Sequence, residues 1–356
     1  MTSTVLKEKI LGLFEGMRGK SLITTQDWSL DELIATLELA EDMQKYRFTD
    51  KYAYILKDRS FMMFFYNPSV RTRQSFEVAA TELGGHALFL EPKSMRLKTA
   101  KTAGETVEDA AKVMSRYACG IGIRILEDKV SCYGQGEELL REYAKWSEVP
   151  IVSMAHDTFH PCQGLADVMG YRKHIGKNLK GKKLLQVWGH GALCRSWCSV
   201  QESLLIGSRF GMDVTVASPP GYDLDPKVIE MTKKNCSLNG SKFEISHDPV
   251  ECYDDADIVY SRNWMSPNAY RDGEYHKQEE IEKAMKHTDW ICDAQKMKHT
   301  NNAVFIHPMP IDRGNEVTDE VASGKRSIIY DVAEDRLHVQ KAVMALTMSK
   351  FFADNR

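Results

Sequence analysis

The sequence predicts an α/β fold of two domains, each a mostly parallel sheet flanked by helices. Strand-like and helix-like patterns alternate from about residue 60 to the end of the chain, which is typical of parallel sheets with helical crossovers. A chain of 356 residues is long enough to form two hydrophobic cores. A basic, glycine-containing stretch at 177–181 separates the two halves of this pattern.

The elements of the first half follow from capping signals and hydrophobic periodicity. Ser29 and Glu32 match a capping box that opens a helix, and Pro161 suits the first position of another helix. Apolar residues at helical spacing predict two more helices, one after residue 69 and one over about 107–118. Short apolar runs predict strands at 61–66, 120–125 and 149–154.

The second half continues the same alternation of strands and helices. Strands are expected at 182–188, 213–217, 243–245, 257–260 and 303–306. Helices are expected at 199–210, 226–235 and 336–352, where apolar residues recur at helical spacing.

Composition excludes several classes of protein. A net charge of −3 without a basic block argues against a nucleic-acid-binding protein. No apolar run approaches the length of a membrane span, and residues 1–13 mix acids and bases, unlike a signal peptide. The eight cysteines form no CxxC pair, and Cys194 and Cys198 lack the further ligands of a zinc site. We therefore expect a cytoplasmic protein with reduced thiols and no metal.

Residues 67–77 carry the most informative motif, Asn-Pro-Ser-Val-Arg-Thr-Arg-Gln-Ser-Phe-Glu. They lie between a predicted strand and a predicted helix, where free backbone N–H groups and the helix dipole favour an anion. Arg71 and Arg73 add planar guanidinium donors that match a phosphate or a carboxylate. The motif predicts a phosphate site, and the alternative is a helix start with two solvated arginines.

Similar polar groups recur at other predicted strand ends and helix starts. Ligands of open α/β folds bind beyond the carboxyl ends of the strands, so these groups are expected to meet in one cleft. Taken singly, each has another explanation, such as a helix cap for His160 or a surface ion pair for Arg336. The positions are residues 69–73, Arg124, His160 with Gln163, residues 307–310 and Arg336.

These motifs resemble those of the aspartate/ornithine transcarbamylase superfamily, in family order and at family spacing. Residues 69–73 are similar to its Ser-x-Arg-Thr-Arg loop, and residues 160–163 to its His-Pro-x-Gln motif. Residues 307–310 are similar to its His-x-x-Pro loop, and Arg124 to the arginine that follows Ile-Gly-Ile. Further segments, above all 296–302 and 333–341, resemble the N-acetylornithine transcarbamylase branch and its uncharacterised knotted relatives.

The resemblance implies a carbamoyl phosphate site built from two groups of residues. The carbamoyl group would contact Arg124, His160, Gln163 and Thr72, with His160 donating a hydrogen bond to the developing oxyanion. The family reaction requires no metal ion and no organic cofactor. The phosphate would be bound by side chains or backbone N–H groups of Ser69, Val70, Arg71, Thr72 and Arg73.

The motifs for the second substrate depart from the characterised branches. Arg262 stands where ornithine enzymes carry an aspartate for the α-ammonium group, so this position attracts a carboxylate and disfavours free ornithine. The expected acceptor is an amine that carries a carboxylate, with N-acetylornithine favoured over a smaller amino acid. The expected contacts are Arg262, Asn263, Trp264, His307, Pro308, Met309, Pro310, Arg313 and Arg336.

Two other classes of function stay open. A nucleotide-binding oxidoreductase is disfavoured because no GxGxxG follows a predicted strand, and Trp188-Gly-His-Gly is a poor substitute. A catalytically silent regulatory member of the family is compatible with the unusual second-substrate motifs. The intact residues 69–73, His160 and Gln163 favour an active carbamoyltransferase.

The resemblance also implies an architecture. Because Arg336 must reach the same cleft as Arg71, the first, carbamoyl phosphate-binding domain is expected to span 1–155 plus 334–356. The second, amino-acid-binding domain is expected to span 156–333. Segment 188–205 has about the length found in the knotted branch, which favours a trefoil knot in the second domain.

Two further expectations concern assembly and modification. The resemblance implies a homotrimer in which the loop after Pro92 reaches a neighbouring subunit, and an exposed basic loop is the alternative. The charges of this loop are Lys93, Arg96, Lys98 and Lys101. Lys296 matches a lysine that is carbamylated in acetylornithine enzymes, and the alternative is an ordinary surface lysine.

Overall fold

The first half of the chain forms a four-stranded parallel sheet. The computed structural model describes residues 15–92 and 103–349. The strands β1 (Ser60–Phe65), β2 (His86–Leu90), β3 (Gly120–Ile125) and β4 (Ile151–His156) lie in the order β2-β1-β3-β4. The helices are α1 (Leu30–Lys45), α2 (Val70–Glu82), α3 (Val107–Ser115) and α4 (Gln135–Trp146), with 3-10 turns at Thr25–Asp27 and Glu127–Lys129.

The second half forms a five-stranded parallel sheet in the order β11-β8-β5-β6-β7. Its strands are β5 (Lys183–Trp188), β6 (Asp213–Ala217), β7 (Phe243–Ser246), β8 (Ile258–Arg262) and β11 (Val304–Ile306), and a hairpin of β9 (Tyr270–Arg271) and β10 (Glu274–Tyr275) follows β8. The helices are α5 (Pro161–His174), α6 (Cys198–Arg209), α7 (Pro226–Asn239), α8 (Lys277–Ala284), α9 (Ala294–Met297), α10 (Asp319–Ala322) and α11 (Ile329–Met348).

The predicted fold class, two mostly parallel sheets flanked by helices, is confirmed. Strands β3 and β6 have the predicted limits, and the capping box of α1 forms, with Ser29 and Glu32 bonded to each other's backbone N–H groups. The domain limits and the trefoil knot stay predictions. All eight cysteines lie in the described residues and are free thiols. No helix of the described ranges is long and apolar enough to cross a membrane.

Two element limits differ from the prediction in a way that matters for the site. Strand β8 runs on to Arg262, which pairs with Trp188 of β5, so Arg262 is the last residue of a strand. The closing helix begins at Ile329 instead of Arg336, because Ile329 and Val332 are already buried in the core. Arg336 therefore lies inside a helix and not at its start. Residues 350–352 of the predicted helix and the basic loop 93–101 lie outside the described residues.

Helix α11 connects the end of the chain to the first half. It packs against α1, α2 and α5, and the ammonium group of Lys341 lies 2.7 Å from Glu82 of α2. This packing brings Arg336 to the start of α2, where its Nη2 donates to the Thr72 hydroxyl at 2.8 Å.

A buried polar contact joins the two halves at the 3-10 turn Thr25–Asp27. The Glu202 carboxylate of α6 accepts hydrogen bonds from the backbone N–H of Thr25, at 3.1 Å, and from its hydroxyl. Nearby, Arg209 donates to the carbonyls of Thr25 and Trp28, at 2.7 and 2.6 Å. Burial raises the pKa of Glu202 to about 7, and its second carboxylate oxygen has no hydrogen-bond partner.

We expect Glu202→Gln to stabilise the protein at pH 8, by on the order of 1–3 kcal/mol. The folded-state pKa lies above the unfolded value, so the carboxyl favours folding at low pH and this contribution is lost as pH rises through about 7. The amide stays neutral at every pH and keeps an acceptor for Thr25. Urea unfolding at pH 5 and pH 8 measures the effect; an equal difference between variant and wild type at both pH values would contradict it.

Candidate active site

A cleft of about 220 Å³ lies where the carboxyl ends of the two sheets face each other. Residues at or just after the carboxyl ends of β1, β3 and β4 form one wall, and residues at or just after the ends of β5, β8 and β11 form the other. This is the position expected for a ligand site in an open α/β fold. The cleft is lined by Ser69, Arg71, Thr72, Arg124, Leu126, Glu127, Ala155, His160, Leu193, Arg195, Ser196, Cys198, Arg262, Pro308, Met309, Pro310 and Arg336.

The start of α2 forms the base of this cleft. Ser69 is the N-cap, and its hydroxyl accepts a hydrogen bond from the N–H of Thr72 at 3.3 Å. The N–H groups of Val70 and Arg71, in the first turn, have no partner within the helix. Together with the helix dipole, they offer an anion two backbone donors and a partial positive charge.

Arg71 and Arg73 point in different directions. Arg71 lines the cleft, where burial and the charge of Arg262 lower the pKa of its guanidinium. The Arg73 side chain instead pairs with Glu77 at 2.8 Å and lies over the Phe89 ring at 3.9 Å. The structure therefore places Arg73 outside the cleft lining, contrary to the expectation that both arginines face one phosphate.

Three buried groups with unpaired nitrogen atoms surround the start of α2. Arg124 donates to the carbonyl of Met154 at 3.2 Å, and Arg336 donates to Thr72. The Nε atoms of both arginines and Nδ1 of His160 are buried without a hydrogen-bond partner. Buried cations without carboxylate partners are costly unless a ligand compensates them, so this end of the cleft is suited to an anion.

His160 is kept neutral by its surroundings. Burial, followed by the charges of Arg336, Arg124 and Arg262, lowers its pKa well below the usual value. A neutral imidazole still carries one N–H donor. His160 can therefore donate a hydrogen bond to a carbonyl oxygen without first taking up a proton.

Gln163 does not line the main cleft. It lines a small recess of about 10 Å³ with Arg71, Ser75, His307, Pro308, Ala333 and Arg336. Its amide nitrogen donates to Asp167 at 2.8 Å, and burial raises the pKa of Asp167 to about 8. This contact orients the amide of Gln163 and uses its nitrogen as the donor.

The opposite wall contributes Arg262 and the loop of residues 308–310. Arg262 is only 7% exposed, and its Nη1 donates to the hydroxyl of Ser199. Its Nε has no partner. His307 does not reach the cleft lining, because it is buried behind the loop against Glu316 at 3.1 Å.

Four other residues singled out from the sequence do not line the cleft. Asn263 donates to the carbonyl of Gly189 at 2.9 Å, and Trp264 donates to the carbonyl of Tyr222 at 2.9 Å. Arg313 is exposed and pairs with Asp319 at 2.7 Å. Lys296 is buried, and its ammonium group donates to backbone carbonyls, among them Ile291 at 2.8 Å. These contacts serve local structure.

Sequence reasoning missed two charged residues, Arg195 and Glu316, at the wall that carries Arg262 (the acceptor wall). Arg195 lines the cleft, and its Nη1 donates to Glu316 at 2.7 Å. Burial alone would raise the pKa of Glu316, but His307 and Arg195 lower it to about 2. Arg195 follows β5, so the rule that ligands bind beyond the carboxyl ends of strands could have singled it out.

The cleft has the composition of a site for small anions. Five of its lining residues are arginines, and Glu127 is its one lining carboxylate among the described residues. No three His, Cys, Asp or Glu side chains of the described ranges converge as metal ligands. The arrangement can bind an anion, polarise a carbonyl and hold a second charged molecule alongside.

Two models of one protein family match most of this chain. Residues 20–173 match the family model "Aspartate/ornithine carbamoyltransferase, carbamoyl-P binding domain". Residues 186–347 match the model "Aspartate/ornithine carbamoyltransferase, Asp/Orn binding domain". The two models together cover most of the chain.

Curated ornithine carbamoyltransferases and N-acetylornithine carbamoyltransferases are similar to this chain at nearly equal sequence identity. The anabolic ornithine carbamoyltransferase of Pyrococcus furiosus is 37% identical over 334 residues, covering 93% of this chain and 97% of the relative. The N-acetylornithine carbamoyltransferase of Xylella fastidiosa is 35% identical over 342 residues, covering 93% and 99%. Among solved structures, acetylornithine transcarbamylase complexed with acetylcitrulline superimposes with a TM-score of 0.85 at 35% identity, covering 93% and 99%.

Proposed function

The chain belongs to the aspartate/ornithine carbamoyltransferase family and is a carbamoyltransferase, and we propose that its acceptor is an amine carrying one carboxylate and no free α-ammonium group. An N-acylated diamino acid such as N-acetylornithine is the favoured acceptor. The observation that carries the proposal is Arg262, a buried cation at the acceptor wall without a carboxylate partner.

Carbamoyl phosphate is assigned to the α2 end of the cleft. Ser69, the N–H of Val70, Arg71 and Thr72 bind the phosphate, and Arg124 and Arg336 complete its charge compensation. His160 donates to the carbamoyl oxygen, and Gln163 accepts from the carbamoyl nitrogen. Arg336, expected at the second substrate, is thus reassigned to carbamoyl phosphate because it bonds to Thr72.

The reaction then depends mainly on positioning and electrostatics. The uncharged amine attacks the carbonyl carbon and forms the new C–N bond. The C–O bond to phosphate breaks, phosphate leaves with the electron pair, and the amine proton passes to phosphate or solvent. The neutral N–H of His160 stabilises the negative charge that develops on the carbonyl oxygen.

A phosphate-release assay with carbamoyl phosphate and a panel of amines tests the acceptor class. The panel contains N-acetylornithine, ornithine, aspartate and smaller amino acids. We expect kcat/KM to be highest for N-acetylornithine or a close N-acyl analogue. If free ornithine proved the best acceptor, the proposed class would be wrong; if no amine released phosphate, the regulatory alternative would replace it.

We expect Arg262→Ala to raise the KM of the acceptor by about 10–100-fold while changing the KM of carbamoyl phosphate much less. The reason is that the variant removes a charge-assisted contact made by one substrate. Initial-rate kinetics with each substrate varied in turn measures the split. Arg313→Ala is the matched control, because it removes an arginine that lies outside the cleft. A selective loss of carbamoyl phosphate binding in Arg262→Ala would contradict the assignment.

The predicted homotrimer forms part of this proposal. Its support is the resemblance, in which active sites lie at subunit interfaces and the loop after Pro92 reaches the neighbour. Multi-angle light scattering together with activity measured across protein concentrations tests it. A fully active monomer would overturn the proposed assembly without affecting the acceptor class.

A further inference from the structure

Glu127 is an acidic side chain in a cleft that is otherwise suited to anions. It is the one carboxylate among the described residues that line the cleft, and it shares the lining with five arginines. Its Oε2 atom is buried and has no hydrogen-bond partner. A desolvated carboxylate oxygen without a partner is costly, so a cationic group on a ligand would recover part of that free energy.

The nearby arginines direct their hydrogen bonds away from this carboxylate. Burial lowers the pKa of the Arg124 and Arg195 guanidinium groups, and the charge of Glu127 is among those that oppose the shift. Arg124 nevertheless donates to the carbonyl of Met154 at 3.2 Å, and Arg195 donates to the carboxylate of Glu316 at 2.7 Å. Glu127 therefore lies within electrostatic reach of both ends of the cleft and is left for a ligand to pair with.

Two contacts fix the backbone at Glu127, one from each half of the chain. The residue opens the 3-10 turn Glu127–Lys129 directly after Leu126, whose N–H donates to the amide oxygen of Asn67 at 2.7 Å. From the second half, the hydroxyl of Tyr270 donates to the carbonyl of Glu127 at 2.8 Å. Asn67 opens the segment that carries the phosphate contacts, and Tyr270 belongs to β9. Glu127 is therefore held at a defined position relative to both substrate-binding walls.

The proposed acceptor brings the positive charge that this carboxylate lacks. At pH 7 a primary alkylamine, with a pKa of about 10, is an ammonium ion, and only about one molecule in 10³ is uncharged. The ammonium form has no lone pair and cannot attack the carbonyl carbon of carbamoyl phosphate. A group in the cleft that takes this proton would make the abundant form of the acceptor reactive.

The other protein groups of the cleft that could take a proton are unsuited to it. His160 binds a second proton poorly, because burial and the charges of the surrounding arginines lower its pKa well below the usual value. Burial raises the pKa of the Cys198 thiol, so this group stays protonated. The arginines meanwhile favour the uncharged amine, because like charges and removal from water both lower the pKa of an ammonium group. Among the described lining residues, Glu127 is the group that can take the proton.

We infer that Glu127 is a catalytic residue that binds the ammonium group of the acceptor and takes its proton. The N–H bond breaks, its electron pair stays on the nitrogen, and an O–H bond forms on the carboxylate. The uncharged nitrogen then attacks carbamoyl phosphate, and Glu127 returns the proton to solvent after the product leaves. The inference rests on the proposed function, because it adds a proton-accepting group to the site of the proposed acceptor.

Two acceptors that differ in basicity test the inference. N-acetylornithine carries a primary alkylamine, whereas the isosteric N-acetylcanaline carries an aminooxy group, which is uncharged at pH 7. Glu127→Gln should lower kcat/KM for N-acetylornithine at pH 7 by about 10²-fold, the size of a general-base contribution. It should lower kcat/KM for N-acetylcanaline by less than about threefold. The KM of carbamoyl phosphate should not rise, because no phosphate contact is removed.

The pH profile is a second readout, which a purely structural role would not change. For Glu127→Gln, log kcat/KM with N-acetylornithine should rise by about one unit per pH unit from about pH 7 to 9, because only amine that is uncharged in solution reacts. Wild type should rise much less over this range. Glu127→Asp keeps a carboxylate and should recover the flatter profile and part of the rate. Glu138→Gln, at an exposed acid outside the cleft, should behave as wild type.

The outcomes separate this inference from the proposed function. If wild type carbamoylates N-acetylornithine and Glu127→Gln keeps the wild-type rate and pH profile, the proton-accepting role is overturned and the acceptor class stands. An equal loss of rate with both acceptors would overturn the role in the same way. If wild type carbamoylates neither acceptor, the acceptor class is overturned and the inference with it.

Discussion

Replacing His160 with leucine is expected to lower kcat by about 10²–10³-fold, the usual cost of removing one hydrogen-bond donor from a developing oxyanion. The imidazole is 6% exposed and lies among Arg124, Arg262 and Arg336. The KM of carbamoyl phosphate should change much less, because the phosphate contacts at α2 are retained. His160→Gln, which restores an N–H donor, should recover part of the rate. His247→Leu, at an exposed histidine, is the matched control.

The pH dependence of kcat gives an independent check of this role. Because burial and the nearby arginines lower the pKa of His160 well below 6.5, its donor form is the neutral one and persists below neutral pH. We expect no loss of kcat centred near pH 6.5. A rate profile measured from pH 5 to 9 with saturating substrates shows whether this holds. An acidic limb near pH 6.5 that disappears in His160→Gln would contradict a permanently neutral histidine.

The carbamoyl phosphate end of the site could be placed from the sequence because its signals are local. The N-cap, the arginine and the strand before them lie within a few residues. Arg124 lies near the end of a recognisable strand, and His160 follows another. The orientation of Arg73 was also predictable in principle. Residues two apart on a helix point to different sides, so Arg71 and Arg73 could not both face one anion once α2 begins at Val70.

The acceptor wall was harder to predict because its contacts are distant in the sequence. Glu316 lies in a loop without hydrophobic periodicity, and its partners Arg195 and Asn263 are 121 and 53 residues away. Only the folded chain shows that a carboxylate compensates Arg195. Asn263 and Trp264 were singled out as substrate contacts because they adjoin Arg262. The structure directs their side chains to the backbone carbonyls of Gly189 and Tyr222.

The same carboxylate has a large expected effect on stability. Glu316→Leu should lower the free energy of unfolding at pH 7 by about 3–5 kcal/mol, the usual cost of removing one partner of a buried ion pair. The variant would leave Arg195 as an uncompensated buried cation and remove the acceptor for His307 and two backbone N–H groups. Urea unfolding of both proteins measures the difference. Glu320→Leu, at an exposed position in the same region, should change stability by less than about 0.5 kcal/mol.

The stability difference between wild type and Glu316→Leu should shrink on acidification. The pKa of Glu316 in the folded protein is lowered from 4.5 to about 2, so its stabilising contribution is full above pH 4.5 and is lost as pH falls toward 2. Burial lowers the pKa of His307 from 6.5 to about 4. Between pH 6.5 and pH 4 the unfolded chain therefore binds a proton that the folded protein does not, and wild type loses stability as the pH falls through this range. The leucine variant has no carboxylate at position 316, so it does not undergo the loss of stability that protonation of Glu316 causes in wild type. A difference between the two proteins that stayed constant from pH 7 to pH 3 would show that Glu316 acts by filling space and not by its charge.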